Sequence, residues 1–138
     1  MKMLALDVGD KRIGVATCDM LGIIASPLTA IERKSHAVDI DTILKLVEDN
    51  EAGEIVVGLP LSLDGGYSEQ TKSVAAFTKK LTERSPVPVK SVDERYSTFE
   101  AERLLSHSKS TRSRSRGEID AAAAAVILQS YLDSGASV

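Results

Sequence analysis

Acidic residues stand at three places where acids are costly unless they have work to do. Asp7 closes the apolar run MKMLALDV, Asp93 and Glu94 close the run VPVKSV, and Asp120 opens the alanine-rich stretch IDAAAAAVILQSYL. A carboxylate at the end of a buried strand needs a hydrogen-bond donor, a cation or a metal ion. Each acid also has a plain structural reading. Asp7 would accept N–H bonds from its own turn. Asp93 or Glu94 would pair with the adjacent Arg95 at the surface, for little energy. Asp120 would meet the positive end of a helix dipole. Taken together they imply more. If the strands are neighbours, Asp7 and one of the pair Asp93 and Glu94 occupy adjacent strand ends, and Asp120 approaches from a helix above. Strand side chains alternate between faces, so only one of that pair serves a given site. Three converging carboxylates repel unless cations intervene, and an oxygen-only donor set suits Mg²⁺ or Mn²⁺. Such a site hydrolyses phosphodiesters by activating water and stabilising the leaving oxygen.

A second charged feature lies just before Asp120. Residues 106–117 read SHSKSTRSRSRG, with Lys109, Arg112, Arg114 and Arg116 and no acid. The chain's net charge is −3, so this +4 segment leaves −7 on the rest. An acidic body with one basic loop fits contact with a phosphate backbone, although a solvated loop would carry the same charges. Other chemistries find no footing. Cys18 is the single cysteine, which excludes a disulfide framework and a cysteine zinc site. His36 and His107 lack ligand spacing, and there is no phosphate-loop lysine or dinucleotide fingerprint.

The elements that must hold these residues follow from the pattern. The chain has 138 residues, 43% of them apolar and 27% charged, as expected for one globular domain over 1–138. No apolar run suits a membrane span and no secretory segment is evident, so a cytoplasmic protein with no membrane partner is expected. LALDV and IGVATCD predict a hairpin turning at Gly9 and Asp10. A third strand is predicted near Ile23–Ile31, with Pro27 sending it to an edge or a bulge. Ser35 caps a helix with apolar positions Val38 to Val47, EIVVGLP is a buried strand, and Ser68 opens a second helix. VPVKSV is a fifth strand. Ser97 with Glu100, and Ser115 with Glu118, have capping-box spacing ahead of two more helices. A meander followed by alternating units predicts an α/β fold, a five-stranded mixed sheet flanked by helices.

LALDVGDKRIGVA, IVVGLPLSLDG, VDERYST and IDAAAAAVILQSYL, in that order, resemble the YqgF (RuvX) family of Holliday-junction-resolvase-like nucleases. The resemblance spans almost the whole chain. It implies an RNase H-like fold and a nuclease maturing the 5′ end of pre-16S ribosomal RNA, with a pre-ribosomal particle as partner. By position it selects Asp7, Glu94 and Asp120 as the catalytic, metal-holding acids. Lys11, Arg12, Arg95 and Thr98 fall on accompanying polar positions and would contact substrate. Two alternatives accompany this reading: a non-catalytic RNA-binding ribosome-assembly factor, and a junction resolvase on branched DNA. The latter calls for a symmetric homodimer rather than a monomer.

Overall fold

In a computed structural model, residues 1–61, 66–93 and 115–134 are described. Strands β1 (Leu4–Val8), β2 (Arg12–Cys18) and β3 (Ala25–Glu32) form an antiparallel meander. Helix α1 (His36–Asp49), β4 (Ile55–Leu59), α2 (Glu69–Arg84), β5 (Val89–Asp93) and α3 (Arg116–Asp133) follow. The five strands order as β3-β2-β1-β4-β5, with β1, β4 and β5 mutually parallel. This is the mixed sheet expected from the sequence. The helix expected after Ser97 lies outside the described residues.

Local chemistry explains the boundaries. Pro27 sits on the edge strand at the β2–β3 register shift, so its missing N–H interrupts a ladder that is already irregular. β3 begins at Ala25, two residues later than expected. The Asp19 carboxylate takes the N–H groups of Ile23 and Ile24, at 2.7 and 2.9 Å, into the preceding loop. Ser35, Ser68 and Ser115 each accept an N–H three residues on, at 3.1–3.2 Å. The Ser68 N–H donates in return to Thr71 Oγ1 at 3.1 Å, completing a capping box.

The two faces of the sheet are packed differently. Leu4, Leu6, Val8, Ile13, Val15, Ile55 and Val57 point to α1 and α2, meeting Ile40, Ile43, Phe77 and Leu81. Met3, Ala5, Ala16, Cys18 and Val56 point to α3, meeting Ala124, Ile127 and Leu128. Cys18 is thus a small core residue. Glycines and alanines on the second face let α3 lie close to the strands.

Candidate active site

Asp7 belongs to the α3 face. Met3 and Ala5 pack there, and alternation returns Asp7 to the same side. Its partner across the antiparallel ladder is Gly14. Extending the β1–β4 register one residue beyond Leu6 and Val57 sets Gly58 on its other flank. The half-buried Asp7 carboxylate therefore rises between two positions that have no side chain.

Gly14 is where α3 comes down. A Cβ built there would fall 1.9 Å from the Asp120 carbonyl oxygen and 2.3 Å from its carbon. One turn earlier, a Cβ on Gly117 would meet the Ala30 methyl at 3.3 Å. The first turn of α3 thus rests on the backbone of β2 at Gly14, the residue that pairs with Asp7 across the ladder. Neither Gly14 nor Gly58 carries reactive chemistry of its own in the sequence. A glycine inside a strand pattern is itself a sign of close backbone approach.

The Asp120 carboxylate is held by the first residue of β2. Arg12 Nε donates to Oδ2 at 2.7 Å, and both side chains are about a quarter exposed (25% and 27%). Arg12 lies two residues before Gly14, hence on the same face. Lys11 is exposed in the β1–β2 turn, and Arg116 is exposed at the start of α3. Asp93 ends β5, and because Val92 packs against the α3-side cluster, Asp93 is turned to the other face. Glu94, Arg95, Thr98, Lys109, Arg112 and Arg114 lie outside the described residues. The structure therefore brings together Asp7, Arg12 and Asp120, with Lys11 and Arg116 on flanking segments.

Chemically, two residues with hard oxygen donors lie on the α3 side of the sheet, one of them paired with a guanidinium. Among the described residues no group of three His, Cys, Asp or Glu forms a complete metal cage. The Asp7 and Asp120 carboxylates are the right donor type for Mg²⁺ or Mn²⁺, and poor donors for soft metals. The Arg12 contact shows that the Asp120 position already attracts a cation.

The sheet order, with α3 laid across the meander, is that of the RNase H-like fold. T. thermophilus RuvC in complex with a Holliday junction substrate superposes with a TM-score of 0.61 at 14% identity, covering 98% of this chain and 96% of that one. Fowlpox virus resolvase with its junction DNA gives 0.61 at 12% identity, covering 97% and 98%. These likenesses define the fold. Residues 1–134 match the family model described as RuvX, Holliday junction resolvase, and the chain belongs to that family. It is 46% identical over 131 residues to a protein of Rippkaea orientalis, covering 95% of this chain and 94% of the other. It is 45% identical over 133 residues to one of Syntrophus aciditrophicus, covering 96% and 89%. Both carry the name "Putative pre-16S rRNA nuclease".

Proposed function

We propose that this protein is a divalent-metal-dependent nuclease that processes the 5′ end of pre-16S ribosomal RNA in the cytoplasm, on a pre-ribosomal particle. The observation that supports this reading is the seating of the Asp120 backbone on Gly14, the strand partner of Asp7. The similarly named relatives favour RNA as substrate.

Asp7, Glu94 and Asp120 would hold Mg²⁺ or Mn²⁺. The bound metal supplies charge stabilisation at the scissile phosphate and lowers the pKa of water. Asp7 is fixed by its strand, and Asp120 by its helix turn and by Arg12, so their oxygens are held in place before substrate arrives. Asp93 takes no part, being on the opposite face. Lys11, Arg12, Arg95, Thr98, Lys109, Arg112, Arg114 and Arg116 contact the substrate. The lysines and arginines meet its phosphates, contributing affinity and salt dependence rather than sequence choice.

The test is cleavage of an end-labelled RNA spanning the 5′ pre-16S junction, with Mg²⁺ or Mn²⁺, by wild type and Asp7→Asn. Metal-dependent cleavage that disappears in a folded Asp7→Asn protein is expected. Equal cleavage by both would remove Asp7 from the site. RNA binding without cleavage by wild type would favour an assembly factor. Preferential cutting of a four-way DNA junction would favour a resolvase.

A further inference from the structure

Arg33, just past the end of β3, grips the turn that joins β1 to β2. Its backbone N–H donates to the Lys11 carbonyl at 2.9 Å, and its Nη1 donates to the Gly9 carbonyl at 2.7 Å. The turn is tight, with the Gly9 N–H donating to the Arg12 carbonyl at 2.9 Å. A Cβ on Gly9 would fall 2.9 Å from that same oxygen.

Arg33 is itself held from the opposite side of the sheet. Its Nε donates to Asp39 Oδ2 at 2.9 Å, and the Asp39 side chain is 2% exposed. Asp39 Oδ1 accepts the Lys34 N–H at 3.0 Å. The guanidinium lies 5.0 Å from the centre of the fully buried Phe77 ring, whose edge-to-face neighbour is His36. An arginine neutralised by a buried aspartate, stacked on an aromatic ring and bonded to a main-chain carbonyl is held on three sides, with its side chain 18% exposed. Its charge is directed to Asp39 and the turn, away from phosphate.

We infer that Arg33 is a positioning residue: anchored by Asp39 and Phe77, it fixes the Gly9–Arg12 turn and so sets Arg12 against Asp120 and Asp7 in its place. The consequence for cleavage rests on the nuclease reading above; the consequence for the turn does not. A planar fork is needed, because one nitrogen faces Asp39 and another faces Gly9. A lysine has a single nitrogen to offer and cannot reproduce that geometry.

Two variants test this. Arg33→Lys keeps the charge beside Asp39 and loses the second arm. The double change Arg33→Met with Asp39→Leu removes the ion pair together with its desolvation cost, so that the fold is kept. Amide hydrogen exchange is read at Gly9, in the turn, and at Val57, in the central sheet. Single-turnover cleavage and RNA affinity are measured beside it. Gly9 is expected to exchange about tenfold faster with Val57 unchanged, since local opening is separable from global unfolding. Cleavage is expected to slow by about 10–100-fold with RNA affinity nearly unchanged, as for a misplaced catalytic group. Wild-type exchange at Gly9 in either folded variant would overturn the inference. So would losses at Gly9 and Val57 in equal measure in both variants, which would mark a purely structural role. Should wild type cleave no RNA, the nuclease reading fails, while the Gly9 and Val57 comparison still decides whether Arg33 holds the turn.

Discussion

The two faces of the sheet differ in what their residues are for. Under α1 and α2 the strands present branched aliphatics, and Phe77 and Leu81 complete a core of large side chains. Under α3 they present Ala5, Gly14, Ala16 and Cys18, with Asp7 at the end of the row. The first face buries more apolar area, and burial stabilises in rough proportion to area. The second gives up area and gains approach. There, among the described residues, a helix backbone meets a strand directly, the first turn of α3 resting on Gly14, the partner of Asp7. On the function proposed above, stability and chemistry fall on opposite sides of one sheet, and Arg33 bonds to the hairpin turn from the α1 and α2 side.

The sharpest way to break this division is to cut each face separately. Leu81→Ala, in the large-residue core, is expected to cost about 2–5 kcal/mol of unfolding free energy. Cleavage per folded molecule should remain near wild type. Urea denaturation beside an activity assay corrected for the folded fraction checks both. Gly14→Ala is expected to show the reverse weighting. Its methyl would collide with the Asp120 carbonyl, at a cost of about 1–3 kcal/mol. Cleavage should be lost well before the fold is, because α3 must shift away from Asp7. Equal activity losses in the two variants would erase the distinction between faces.

Asp120→Asn is a smaller perturbation of the fold. The Arg12 pair is a quarter exposed, so removing its charge should cost no more than about 1 kcal/mol. Cleavage is nonetheless expected to vanish. A melting curve and the RNA assay on one preparation separate the two effects.

The smallest effect lies at the other end of the α3 face. Tyr131 is pushed above its ordinary value of 10.0 by burial and then by its hydrogen bond to Glu54. Above that ordinary value the unfolded chain releases the phenol proton first, so unfolding is favoured as pH rises. Stability contributed by neutral Tyr131 is complete below the ordinary value and is lost as pH climbs through the folded one. Urea unfolding between about pH 8 and about pH 11 should show this fall in wild type and a shallower one in Tyr131→Phe.

Much of this was legible in the sequence because it is local. The hairpin, the serine caps, the edge position of Pro27 and the inward side of Asp120 follow from turn chemistry, capping and helical period. Asp7 announced itself as an acid ending an apolar strand. What escaped was non-local. Gly14 reads as an ordinary small strand residue until α3, more than a hundred residues later, is laid on it. Arg33 and Asp39 look like scattered surface charges, and their burial depends on Phe77 from another helix. The choice between Asp93 and Glu94 came from family resemblance. The outward turn of Asp93 now gives a physical reason to set it aside, whereas Glu94 lies outside the described residues.

The most direct test of the central claim, that Asp7 and Asp120 form one cation site, is Mn²⁺ binding followed by electron paramagnetic resonance. Wild type, Asp7→Asn and Asp120→Asn would be titrated without nucleic acid. Binding by wild type is expected, weakened about tenfold or more by either change, since removing one charged oxygen ligand lowers affinity steeply. Undiminished Mn²⁺ binding by both folded variants would contradict it.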